Sequence, residues 1–284
     1  MPRDQFVSSS FAFAIVTNHS LLPHITQFQD GFTLLLRPLA EIIRTRQCPW
    51  RGHHQIQAQV AFLTTHAHAD PLHLVKKVVS CRRQLLSCDL MDELATQGYL
   101  AALEYLHATY PTLDYSIRAL DGASLHGHLD VVEFLMAVRH MRVSSDAMIL
   151  AAGANHVAIL EYLHLVHQAP CTNAAIDRAA ENGHLDAVQF LVHRQSLEGR
   201  SNDAISGAAR HGHAAVVRFL LEHGFLCLSI AWVHAAHYGH LAVLAHLCEL
   251  RPESFHPSAI DEATCRGHDA VAAYLVDFMA GRTA

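Results

Sequence analysis

The sequence predicts an all-α solenoid of stacked helix–turn–helix repeats with an N-terminal helical segment. Three observations carry this. A turn residue recurs at Gly98, Gly127, Asn155, Gly183, Gly212, Gly239 and Gly267, at intervals of 27–29 residues. A leucine stands eight residues after each, at Leu106, Leu135, Leu163, Leu191, Leu220, Leu247 and Leu275. Paired alanines precede several of the turns, as in Ala151-Ala152, Ala179-Ala180, Ala208-Ala209 and Ala235-Ala236. No single globular core demands such a beat. A stack of equal repeats does, because each buries its apolar face only against its neighbours.

With the turn residue as zero, each repeat reads in order. Positions −8 and −7 hold Ala119-Leu120, Ala147-Met148, Ala175-Ile176, Ala204-Ile205, Ala231-Trp232 and Ala259-Ile260. With the alanine pairs at −4 and −3, these form one apolar stripe on a short first helix. Alanine on that stripe lets the next repeat approach closely. Ser145, Asn173, Asn202 and Ser229 stand before this helix as expected N-caps. The turn needs φ > 0, which glycine adopts freely and Asn155 tolerates. A second helix follows with apolar positions +2, +4, +5, +7 and +8, as in Leu185, Ala187, Val188, Phe190 and Leu191. An aromatic fills +7 at Tyr105, Phe134, Tyr162, Phe190, Phe219 and Tyr274, and His246 replaces it in the remaining repeat. This second helix is expected to contribute more to the core between repeats.

The joint between the two helices, in AAENGHLDAVQFL (Ala179 to Leu191) and AARHGHAAVVRFLLEHG (Ala208 to Gly224), resembles the ankyrin repeat. The resemblance covers residues 85–284, read as seven repeats. It implies a stack whose first helices line a concave face, and a protein that binds another protein without catalysis. Two departures are visible. These repeats are about five residues shorter than the familiar 33. The T-P-L-H opening is missing, and the joining loops are too short for a projecting hairpin.

Residues 61–84 are read as a degenerate capping repeat, with Asp70 lying 28 residues before Gly98. Residues 1–60 are an N-terminal helical segment. Ser20-Leu21-Leu22-Pro23-His24-Ile25 and the later Arg46-Gln47-Cys48-Pro49-Trp50 weakly resemble an F-box. That resemblance implies docking to a ubiquitin-ligase adaptor, with the repeats selecting the substrate. The alternative is a simple helical cap.

Composition excludes several function classes. The net charge of −6 gives no support for binding a phosphate backbone, so nucleic acid is not expected as a partner. No apolar stretch approaches the roughly 18–20 residues of a membrane helix. Seven cysteines without a CxxC motif argue against a disulfide framework. A monomer in the cytoplasm or nucleus is expected. There is no nucleophile elbow and no phosphate loop, so neither catalytic residues nor a cofactor are expected. Asp92-Glu93 and Asp261-Glu262 are read as acidic residues favouring the positive end of a first helix.

Histidine is unusually abundant, at 25 residues. Six stand at +1: His128, His156, His184, His213, His240 and His268. Neighbouring repeats lie roughly 10 Å apart, too far for successive rings to share one zinc ion at about 2.1 Å. Each imidazole is expected to bond a backbone carbonyl of the turn. His66, His68 and His73, with Cys81 and Cys88, match no zinc pattern, so no metal site is expected. Exposed histidines gain charge between pH 7 and 5, which raises a pH-sensitive partner as an expectation.

Positions −5, −2 and −1 of the first helix escape the apolar stripe. They supply the expected partner-binding residues Arg178, Glu181, Asn182, Arg210, His211, His234, His237 and Tyr238. Varied polar and aromatic types on a constant scaffold are what a recognition surface requires.

Overall fold

A computed structural model describes residues 72, 75–76, 86, 88–139, 143–194, 201 and 203–283. Residues 1–60, and all of 61–84 except Leu72, Val75 and Lys76, lie outside the described residues. The F-box-like segment and the histidine–cysteine cluster from His66 to Cys81 therefore fall outside them too.

Among the described residues every regular element is helical. In chain order these are α1 (Cys88–Thr96), α2 (Leu100–Thr109), α3 (Ile117–His126), α4 (Leu129–Arg139), α5 (Ser145–Gly153), α6 (Val157–Leu165) and α7 (Asn173–Glu181). They continue as α8 (Leu185–Arg194), α9 (Asp203–His211), α10 (Ala214–Glu222), α11 (Ser229–His237) and α12 (Leu241–Leu250). A 3₁₀ turn (Pro252–Ser254), α13 (Ser258–Cys265) and α14 (Asp269–Thr283) complete the order. Odd-numbered helices are the first helices of the repeats and even-numbered helices the second.

The chain divides into two compact parts. One holds residues up to Leu94 and Tyr99–Ser116. Here Leu90, Met91 and Leu94 of α1, and Ala102, Leu103 and Leu106 of α2, are buried. Asp92 accepts hydrogen bonds from the Ser116 backbone N–H, at 2.9 Å, and from its hydroxyl.

The other part holds residues 95–98 and the chain from Ile117. Its first helices pack in series, α3 on α5, α5 on α7, α7 on α9, α9 on α11 and α11 on α13. The stripe explains this. Ala147, Met148, Ala151 and Ala152 are fully buried, as are the matching residues of α3, α9 and α11. The backbones approach most closely here, as the alanine stripe led us to expect. Alanine is the cause, since it leaves no side chain to hold the helices apart. The second helices stand further apart and fill the gap with larger side chains. Their +4, +5 and +8 positions are buried, as in Ile159, Leu160 and Leu163. Position +2 stays half-buried or exposed, with Leu241 at 42%.

Every turn is built alike. The residue at zero has φ of 73–82° in the glycines and 61° in Asn155. The next N–H then reaches back to the carbonyl at −4, as in His184 to Ala179 at 2.9 Å and His240 to Ala235 at 2.8 Å. This closes the first helix as a Schellman motif. The +1 carbonyl in turn accepts the first bond of the second helix, as from Leu160 to His156 at 3.2 Å.

The N-caps sit one residue earlier than expected. Ser144 and Thr172 cap α5 and α7, accepting from Ala147 N at 2.9 Å and Ala175 N at 3.3 Å. Ser145, Asn173 and Ser229 are instead the first helical residues. Leu228, which has no side-chain acceptor, precedes α11, and Asn202 lies outside the described residues. The Ser144 hydroxyl also donates to Asp121 Oδ1 at 2.5 Å, so one oxygen both caps α5 and ties it to α3. Asp92 likewise accepts from Ser116. In the last repeats Trp232 is fully buried, donates to Ser254 Oγ at 2.9 Å and packs edge-on to Phe255 at 5.2 Å.

The turn glycines yield a graded prediction. A Cβ at Gly183 would lie 2.5 Å from the His213 ring, whereas at Gly267 it would meet nothing within 4 Å. Both residues share a positive φ. Gly267→Ala should cost about 1–2 kcal/mol from backbone strain alone. Gly183→Ala should cost roughly 1–3 kcal/mol more, because the ring must be displaced. Urea denaturation of both variants checks this; equal losses would remove the role assigned to the ring.

Candidate interaction surface

The +1 histidines connect repeats rather than closing their own turns. His156 Nε2 lies 3.0 Å from Leu125 O, His184 Nε2 3.0 Å from Gly153 O, His240 Nε2 3.1 Å from Arg210 O and His268 Nε2 3.0 Å from His237 O. Each acceptor is the −2 carbonyl of the preceding repeat, which the helix end leaves without an intrahelical partner. The expectation of a carbonyl bond holds, but the carbonyl belongs to the neighbouring repeat. Reaching it lays the ring across the preceding turn residue. An added Cβ at Gly98, Gly127, Gly212 or Gly239 would stand within 2.5–2.9 Å of that ring. Asn155 keeps its own Cβ, and its Oδ1 accepts from Ala187 N at 3.3 Å.

This framework fixes the first-helix surface beside it. Position −2 of one repeat meets −5 of the next. A Cβ on Gly153 would stand 2.6 Å from Arg178 Cγ, and one on Gly207 3.4 Å from Glu181 Cβ. His237 Nδ1 bonds Glu262 Oε1 at 2.6 Å, and Arg266 Nε reaches the same oxygen at 3.4 Å. The His237 hydrogen bond, followed by that of Arg266, holds the Glu262 carboxyl below the usual carboxylate range. The sequence reading placed Glu262 only at the positive end of its own helix and gave Arg266 no role; the 25-residue step from His237 to Glu262 is the signal that joins them.

The structure sorts the eight expected residues. Arg178 and Glu181 pair with each other at 3.2 Å. Asn182 Nδ2 donates to Gly153 O at 2.6 Å, beside His184. His234 Nδ1 lies 3.4 Å from Ser206 O, and His237 is taken by Glu262. Arg210, His211 and Tyr238 stay exposed. His211 stacks on His213 at 6.1 Å across the turn, and Tyr238 stacks on His240 at 6.2 Å. In α3 and at the end of α5 the corresponding positions are apolar or small, with Leu125 40% exposed, and Gly153 and Ala154 one repeat on.

No group of three or more histidine, cysteine or acidic side chains among the described residues could hold a metal ion. No described helix is long and apolar enough to cross a membrane.

Alanine-packed helix pairs, with an imidazole of one repeat bonded to the helix end before it, define a stacked helix–turn–helix repeat. Residues 120–231 carry ankyrin repeats: the family model described as ankyrin repeats in three copies matches residues 120–203 and 147–231. The crystal structure of the human ASB11 ankyrin repeat domain is similar in fold, with a TM-score of 0.51 and 20% identity. That match covers 61% of this chain and 90% of the other. No curated protein matches the sequence.

The framework has a pH signature. Burial holds the His213 imidazole below its ordinary pKa of 6.5, and neighbouring His211, His184 and His240 push the same way. The bond to the Glu181 backbone opposes them but does not prevail. Because the folded pKa lies below the unfolded one, the unfolded chain binds protons first as pH falls. The stabilisation is therefore complete above about pH 6.5 and is lost as pH falls towards the folded pKa. Urea midpoints should fall between pH 7.5 and 5.5, and less steeply in His213→Gln. An identical slope in the variant would assign the pH dependence to other groups.

Proposed function

We propose that the protein is a non-catalytic scaffold that binds another protein through its first-helix face, the concave face of an ankyrin stack. One observation carries this reading. Positions −5, −2 and −1 vary from Leu125 to Arg210 to Tyr238, while the positions between them are uniformly alanine-rich and buried. Variation confined to one exposed face of a fixed scaffold gives specificity without altering the fold. The described loops carry no strand, so no hairpin competes with the helices as a contact surface. The repeats tie that face in place before a partner arrives, which lowers the ordering cost of association.

A photo-crosslinking amino acid at position 238 tests the reading, with position 218 on the second-helix face as the reference. The full chain carrying the probe at 238 should give a discrete protein adduct in cells, and the chain carrying it at 218 should not. Adducts at 218 alone, or at neither position, would place binding elsewhere.

A further inference from the structure

The guanidinium groups on the first-helix face are not equivalent. Arg178 is neutralised by Glu181 and Arg266 by Glu262. Arg210 has no carboxylate within ion-pair distance among the described residues. Its guanidinium lies over the Tyr238 ring instead, 6.0 Å from the centroid. Tyr238 stacks on His240 with ring planes 21° apart, and His240 Nε2 bonds the Arg210 carbonyl at 3.1 Å. The arrangement closes on itself. The imidazole fixed by the Arg210 backbone supports the ring that supports the Arg210 side chain.

Stacking on an aromatic face holds a guanidinium in place without consuming its charge or its in-plane donors. A planar fork so held matches a carboxylate in a two-point contact. The two carboxylates at positions −5 and −2 of repeats four to seven, Glu181 and Glu262, already have cationic partners.

We infer that Arg210 is the anchor for an aspartate or glutamate side chain, and that the partner presents an acidic peptide segment to the Arg210–Tyr238 pair. This rests on the reading that the first-helix face binds a protein.

The test follows the Arg210 Nε–H resonance of the full chain during titration with octaglutamate, with octaglutamine as the uncharged reference. Octaglutamate should shift that resonance saturably, and octaglutamine should not. Arg210→Gln should weaken octaglutamate about tenfold, the ratio a single charge-assisted hydrogen bond supplies. Arg210→Lys should recover part of the loss, and Arg218→Gln should leave the affinity unchanged. Raising the salt should weaken the contact. Equal binding of octaglutamine, or unaltered affinity in Arg210→Gln, would overturn the inference. Displacement of octaglutamate by an equal concentration of inorganic phosphate would also overturn it, by making the site a general oxyanion pocket. The cellular adduct at position 238 separates the two readings. If it persists in Arg210→Gln, the face binds a partner without this anchor; if it never forms, the face itself is wrongly assigned.

Discussion

The contact between the +1 imidazole of one repeat and the turn of the repeat before it governs the rest of the structure. One residue performs four tasks there. Its N–H closes the first helix, its carbonyl opens the second, its Nε2 bonds an otherwise unpaired carbonyl, and its ring covers the preceding turn. Each task constrains a neighbour. The ring lies where a Cβ would stand at five of the turns, so glycine is favoured there by contact as well as by φ, while Asn155 is accommodated at another. The carbonyl at −2 must stand at a fixed height, so the first helix has a fixed length. The step between first helices must be short, so the facing positions are alanine. The repeat length of 27–29 residues follows from these demands together.

Most of the fold was legible in the sequence because the repeat states it many times. Leucine falls in the same place in all seven copies, glycine in six and the alanine pair in four, and Asn155 confirms the left-handed turn by being the other residue that adopts it. What stayed illegible concerns relations between copies. The +1 histidine was read as local because its acceptor, some thirty residues earlier, has no side-chain signature: any residue supplies a backbone carbonyl. The N-cap was placed one residue late because Ser144-Ser145 offers two hydroxyls, and only the tie to Asp121 distinguishes them.

The same distinction decides how the first-helix surface reads. Polar residues at −5, −2 and −1 look uniformly available in sequence, yet the stack uses several of them. Asn182 joins His184 on Gly153 O, and His237 ties to Glu262 across the step. These bonds leave a smaller and better defined set, Arg210, His211 and Tyr238. A surface of this kind is rigid for the reason that it is small. Each exposed side chain rests on one already committed to the framework.

Histidine abundance then takes on a different meaning. A row of exposed imidazoles would make the surface charge responsive near neutrality. His213 is instead held towards its neutral form by burial, three neighbouring imidazoles push the same way, and the ring bonds the Glu181 backbone of the adjoining repeat. A neutral ring suffices for that bond and for covering a glycine, so the framework needs no charge. The fixed positive charge on the face comes from guanidinium groups, and two of the three are matched to carboxylates. Arg210, steadied by a ring that an imidazole supports, is where the neutral framework presents charge outward.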